Sequence, residues 1–370
     1  MDALLTLRPE GLYCPAADLF IDPWRPVARA LVTHAHADHA RPGHGRYLAT
    51  KLSLAVMRHR LGTIRGESLD YGSPVTINDV EISFHPAGHV PGSAQIRLAR
   101  RGEVWVVSGD YKTTDDGLSA PFAPLRCHGF VSECTFGLPV FRWPDPEIVL
   151  DEIAAWWRGN AAAGKASLIG AYALGKAQRL LAGLAARGVA PIVVHGAVEA
   201  TNAVLRDAGL ALPETTPPPA LAGPRRGAPA PETPLVLAPP AALDSAWARR
   251  FGPAEIGFAS GWMALRGHRR RRGVGRGFVL SDHVDWPGLC ETVAATGAER
   301  VLFTHGTTHA CARFWQEKGV DAAPLETRFG TDPETGAAPD TPPSDTPTPD
   351  TPAPDTAEPP ADTSAPEDAR

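Results

Sequence analysis

Thr33-His34-Ala35-His36-Ala37-Asp38-His39 follows directly on the apolar run 30–32, and no other stretch of the chain says as much about its fold. Three imidazoles and a carboxylate fall within six residues, a nitrogen and oxygen donor set suited to zinc or a similar transition metal. His34 and His36 stand two apart, so in an extended turn both can face one ion. Asp38 and His39 lie past the turn, where they can serve a second. A polar loop with fortuitous histidines is a fair account of a single H-x-H, but not of H-x-H-x-D-H closing a strand.

Outward from this motif, strands and helices alternate. Short β-rich runs at 19–22, 30–34, 80–85, 104–108, 129–132, 167–172, 192–195, 277–281 and 300–304 are predicted as strands, and 51–61, 147–157, 175–186 and 309–318 as helices. The pattern is that of an α/β protein, with ionisable residues just past several strand ends, where such folds place their chemistry. The Pro/Ala-rich stretch at about 212–242 is expected to be a long surface loop, because Pro217-Pro218-Pro219 has no backbone N–H to donate. From 331 the chain repeats Asp-Thr-Pro units and carries no aromatic residue, so the segment 331–370 is expected to be disordered.

The net charge of −5 averages two regions. Residues 331–370 hold ten acidic residues and one arginine, a net of −9, which leaves about +4 for residues 1–330. Arg269, Arg270, Arg271, Arg272 and Arg276 concentrate positive charge, which permits a phosphate-bearing partner. The alternative for the run is a solvated basic loop. Cys14, Cys127, Cys134, Cys290 and Cys311 are scattered and odd in number, against both a disulfide framework and a thiolate zinc site. No apolar run approaches the roughly 20 residues of a membrane span, and the first residues do not resemble a signal peptide, so a cytoplasmic location is expected.

The His/Asp motif resembles the signature of the metallo-β-lactamase fold, and the rest of that pattern follows in order. Asp22 in Phe20-Ile21-Asp22-Pro23 matches the acidic residue that supports the ligand loop from behind. His89 in Ala87-Gly88-His89-Val90-Pro91-Gly92 matches the third histidine ligand. Asp110 in Ser108-Gly109-Asp110-Tyr111 matches the bridging carboxylate, and His305 in Phe303-Thr304-His305-Gly306 the last ligand. The resemblance implies that His34, His36 and His89 hold one ion, that Asp38, His39 and His305 hold another, and that Asp110 spans both. Two divalent ions are thus expected, zinc by preference, with manganese as the alternative.

Further features resemble the β-CASP nucleases. Glu133 in Ser132-Glu133-Cys134-Thr135 matches their acidic motif A, His283 in Ser281-Asp282-His283-Val284-Asp285-Trp286 the histidine of motif B, and His305 motif C. The segment 171–179 resembles the strand-to-helix turn of the β-CASP insert. The expected architecture is an αββα metallo-β-lactamase sandwich formed by residues 1–145 and 280–330, interrupted by a β-CASP α/β domain at 146–279. Over about residues 8–325 the wording is closest to bacterial ligase-associated DNA exonucleases, with mRNA 3′-end processing factors as relatives. That membership implies a DNA substrate and a functional link to an ATP-dependent DNA ligase and a helicase.

The chemistry is consistent with that family. A phosphodiester requires a nucleophile, charge neutralisation and protonation of the leaving oxygen, and two metal ions supply the first two. His283 is expected to hydrogen-bond the scissile phosphate or protonate the leaving group, Glu133 to orient that imidazole, and Arg269–272 to grip flanking phosphates. Three competing readings are an RNA-processing endonuclease, a small-molecule metallo-hydrolase and a catalytically silent DNA-binding scaffold.

Overall fold

The computed structural model describes residues 3–218, 233–267 and 275–327. The acidic tail, Arg269, Arg270, Arg271 and Arg272, and the middle of the Pro-rich stretch lie outside the described residues.

The chain opens with a six-stranded sheet in sequence order: β1 (Thr6–Arg8), β2 (Gly11–Cys14), β3 (Leu19–Ile21), β4 (Arg29–Leu31), β5 (Arg46–Ala49) and β6 (Gly66–Ser68). The first three strands pair antiparallel, and β3 to β6 run parallel. Helix α1 (Lys51–Leu61) begins at Thr50, whose hydroxyl accepts from the Ser53 amide and caps the first turn. A second sheet starts with β7 (Val75–Ile77), β8 (Val80–Pro86), β9 (Ala94–Arg100), β10 (Glu103–Val107) and β11 (Gly129–Cys134).

The chain then builds a separate, wholly parallel sheet. Helix α2 (Pro146–Ala162) leads into β12 (Ala166–Gly170), α3 (Lys176–Ala185), β13 (Ile192–Val194), α4 (Gly196–Asp207), β14 (Leu235–Ala238), the short α5 (Pro240–Leu243), β15 (Ala254–Ala259) and β16 (Arg276–Phe278). The spatial order is β13-β14-β12-β15-β16. The surface loop expected at 212–242 is corrected here: Leu235–Ala238 is a buried strand inside this sheet, between β13 and β12. Leu-Val-Leu-Ala contains no proline, so its amides are free to pair, and the prolines at 234 and 239 merely bracket it.

After α6 (Trp286–Thr296), strand β17 (Arg300–Gly306), helix α7 (Thr308–Gln316) and β18 (Asp321–Pro324) return to the second sheet, whose order becomes β18-β17-β11-β10-β9-β8-β7. Alternation along the strands decides the layers. Leu12, Ile21 and Leu31 of the first sheet meet Ile82, Phe84, Ile96 and Val107 of the second in one core. Leu54 and Met57 of α1 pack with Ala30, Tyr47 and Ala49 of the first sheet. Leu289, Val293, Cys311 and Trp315 of α6 and α7 pack with Phe130, Val301 and Phe303 of the second. The order is helix, sheet, sheet, helix. Each fully buried large apolar side chain contributes roughly 1.5–3 kcal/mol. All five cysteines are free.

Candidate metal centre

The site lies where strands of the two facing sheets end. β3 and β4 run parallel, with Ile21 opposite Leu31, and so place Asp22 and Thr33 side by side. The Asp22 carboxylate accepts the Thr33 amide at 2.8 Å and the Thr33 hydroxyl at 2.6 Å, and this fixes the start of the ligand loop. Asp110 follows β10 through Gly109, which has φ +57°; a Cβ there would stand 2.6 Å from Thr33 Cβ. Only glycine brings the second sheet's carboxylate this close to the first sheet's histidines. His305 reaches the site through an irregularity in the ladder. Glu133 pairs with Thr304 but Cys134 with Gly306, so His305 bulges out with φ +56°. The Cys134 thiol donates to its carbonyl at 2.8 Å.

Four donors converge first. His36 Nδ1 lies 3.1 Å from His34 Nε2 and 3.2 Å from His89 Nε2, and Asp110 Oδ2 lies 3.5 and 3.8 Å from those two Nε2 atoms. Donors bound tetrahedrally to one zinc at about 2.0–2.1 Å stand about 3.4 Å apart. The spacing fits an ion. The far side of each imidazole is also held: His34 Nδ1 donates to Thr33 Oγ1 (3.1 Å), His36 Nε2 to the Leu174 carbonyl (3.3 Å) and His89 Nδ1 to the Asp282 carbonyl (2.8 Å). Such outer contacts fix ring orientation and tautomer.

Asp38, His39 and His305 form a second group able to hold a metal. His39 Nε2 lies 3.7 Å from Asp38 Oδ2 and 3.5 Å from Asp110 Oδ1, and the His39 and His305 rings stack with centroids 5.0 Å apart. His39 Nδ1 donates to Asp22 Oδ2 at 2.8 Å. Asp110 therefore presents Oδ2 to one group and Oδ1 to the other. Among the described residues Oδ1 is buried without a hydrogen-bond donor, an arrangement that a cation would satisfy.

The electrostatics agree. Burial holds the His34 and His89 imidazoles well below their ordinary pKa and His305 down to about 3, so all three are neutral donors at pH 7. Burial pushes the Asp110 carboxyl up to about 8. Burial also opposes charge on His39, but Asp110, Asp38 and Asp22 together raise it to about 10. Without a metal, the centre holds a proton where positive charge is wanted.

Glu133 and His283 sit beside the first group. His283 Nδ1 faces both Glu133 oxygens at 2.9 and 3.1 Å, while those oxygens accept the Tyr111 amide at 2.8 Å and the Thr135 hydroxyl at 2.6 Å. The His283 and His89 ring centroids are 4.7 Å apart. The structure thus brings together Asp22, His34, His36, Asp38, His39, His89, Asp110, Glu133, His283 and His305. Sequence reasoning missed the supports: Thr33, Leu174, Asp282 and Trp143, whose indole donates to the His283 carbonyl at 2.8 Å. Asp282 was adjacent to a flagged histidine, but a backbone acceptor such as Leu174 leaves no signal in side-chain identity. Trp156, Trp262 and Trp286 pack on Phe278, Phe136 and Phe314 respectively.

No family model matches the chain. Over 317 residues, 85% of its length, it is 31% identical to a probable DNA ligase of Opitutus terrae. Over 185 residues it is 28% identical to Ribonuclease TTHA0252 of Thermus thermophilus. It spans only 30% of the first protein and 42% of the second. These relatives, together with the site, support a nuclease of the β-CASP metallo-β-lactamase family. A solved structure of a protein of unknown function from Enterococcus faecalis V583 shares the fold of this chain, with a TM-score of 0.54 and 12% identity over 81% of this chain and 80% of that one. Among the described residues, no helix is long and apolar enough to cross a membrane.

Proposed function

We propose that this chain is a two-metal phosphodiesterase acting on nucleic acid, a DNA exonuclease that works beside an ATP-dependent DNA ligase and a helicase. The observation that carries the reading is Asp110, whose two oxygens face two separate ligand groups. His34, His36 and His89 would hold one ion, Asp38, His39 and His305 the other, and Asp110 both. Zinc suits this donor set, and manganese is the alternative. Two such ions supply Lewis-acid charge for the phosphoryl group and a nucleophile at neutral pH. In this reading residues 1–145 and 280–330 form the αββα metallo-β-lactamase sandwich, and 146–279 the β-CASP domain.

The protein's own residues supply the proton chemistry. Glu133 accepts from His283 Nδ1, leaving Nε2 as the working nitrogen. Nε2, on the far side of the ring from Glu133, would then be the nitrogen that hands a proton to the departing oxygen. Asp22 holds His39 and Thr33, and with them the ligand loop.

DNA is preferred because the segment matched over 317 residues lies within a protein named as a probable DNA ligase, and a segment joined to a ligase meets DNA ends. The likeness to Ribonuclease TTHA0252 supports a second reading, an RNA-processing endonuclease. End-labelled single strands of matched DNA and RNA separate the two. Stepwise shortening of DNA from one end is expected. Preferential internal cleavage of RNA would replace this proposal with the second.

A further inference from the structure

The loop that carries His283 is clamped by helix α3. Asp282 Oδ2 lies 3.2 Å from Lys176 Nζ, and Oδ1 lies 3.2 Å from an Arg179 guanidinium nitrogen. The same two cations donate to the loop's backbone: Lys176 to the Leu280 carbonyl at 2.9 Å, Arg179 to the Ser281 carbonyl at 2.6 Å. Lys176, Arg179 and Asp282 are 0%, 6% and 5% exposed. Burial opposes charge on Asp282, yet Lys176, Lys112 and Arg179 hold its carboxyl far below the ordinary carboxylate range.

This clamp is continuous with the first ligand group. The Asp282 carbonyl accepts His89 Nδ1, and Leu174, two residues before Lys176, accepts His36 Nε2. Gly175 between them has φ +91°, and a Cβ there would meet Val90 Cγ1 at 2.2 Å, so the turn lies hard against the segment bearing His89. Two loops of the third sheet, joined by this clamp, thus back two of the three imidazoles in the first group. His39, in the second group, is instead backed by Asp22 from the first sheet. A buried ion-paired triad is weak as a source of stability, because desolvation offsets most of its attraction; its better-attested use is to fix one geometry.

We propose that Asp282, gripped by Lys176 and Arg179, is a positioning residue for the first metal position, so that loosening the clamp weakens the ion held by His34, His36 and His89 while sparing the other. The inference rests on the two-ion reading of the site and is independent of the substrate.

The test is zinc titration of the full, metal-stripped chain against a competing chelator, with circular dichroism to establish folding. The parent should bind two ions. Asp282→Asn should weaken one of them at least tenfold, within the range for lost outer contacts. Combined with His305→Ala it should leave no tightly held ion; combined with His89→Ala it should weaken nothing further. Unchanged binding of both ions, or equal weakening of both in a folded chain, would overturn the proposal. Should Asp282→Asn fail to fold, Arg179→Lys carries the test. It keeps the charge but withdraws the fork from Ser281, and the same selective weakening is expected, with unaltered two-ion binding as the contrary result. A parent that binds no ion contradicts the metal-centre reading itself.

Discussion

Glu133 and His283 lie 150 residues apart and meet through a carboxylate whose two oxygens stand 2.9 and 3.1 Å from one imidazole nitrogen. The carboxylate is fully buried and the imidazole 7% exposed, so the pair reaches solvent only through the ring. Glu133 comes from β11 and His283 from the loop after β16. Their meeting registers the second sheet against the third.

In the proposed mechanism this pairing makes His283 a proton donor rather than a metal ligand, although Asp110, Glu133 and His283 also stand close enough together to hold an ion. His283→Ala is expected to lower kcat by roughly 10²–10⁴, with metal content unchanged. Steady-state cleavage of a labelled single strand and elemental analysis of the same sample check it. Loss of an ion would instead make His283 a ligand.

Asp22 accepts three hydrogen bonds in a buried site, from the Thr33 amide and hydroxyl and from His39. Asp22→Ala strands those donors and is expected to cost about 3–5 kcal/mol, the range for breaking a buried charged contact. Asp22→Asn suits the residue's left-handed φ of +43° and should fold. It gives His39 a weaker acceptor, so the ion beside His39 is expected to bind about 10–100-fold more weakly. Denaturant unfolding and zinc titration read the two effects separately.

Metal uptake should be coupled to protons. His39 is held at about 10 in the metal-free centre, so at pH 7 it carries a proton that an arriving cation displaces. Uptake at pH 7 should release at least one proton, and affinity should climb with pH up to about 10. By the same sign, this imidazolium stabilises the metal-free fold fully below 6.5, and its contribution fades as pH rises through 10. Calorimetry in buffers of different ionisation heat measures the release. An uptake heat independent of buffer would contradict it.

Chelation should also cost stability. An ion present at a thousandfold its Kd contributes about 4 kcal/mol to the native state. Stripping the metal should lower the thermal midpoint, and added zinc should restore it. An unchanged midpoint would mean that no ion is held.

The sequence reveals the ligand loop because its donors are contiguous and close a strand. Asp110, Glu133, His283 and His305 are ordinary residues in isolation, legible only as a series in the right order. Each of the nine strands predicted from the sequence overlaps a strand of the structure, but 30–34 and 277–281 share only two residues with Arg29–Leu31 and Arg276–Phe278. Arg46–Ala49, Ala94–Arg100, Leu235–Ala238 and the helices Gly196–Asp207 and Trp286–Thr296 went unread. Leu235–Ala238 was hidden by flanking prolines that act only on their own positions. The Lys176–Asp282–Arg179 clamp was illegible for another reason: its partners are over a hundred residues apart, and nothing local distinguishes a buried lysine from a surface one. The bulge that turns His305 inward is likewise a property of two paired strands.

Anomalous scattering from zinc-soaked crystals tests the role of Asp110 most directly. Two peaks are expected, about 3.5–4 Å apart, one among His34, His36 and His89, the other among Asp38, His39 and His305, with an Asp110 oxygen on each. A single peak that leaves either Asp110 oxygen without an ion, or no peak at all, would contradict the account.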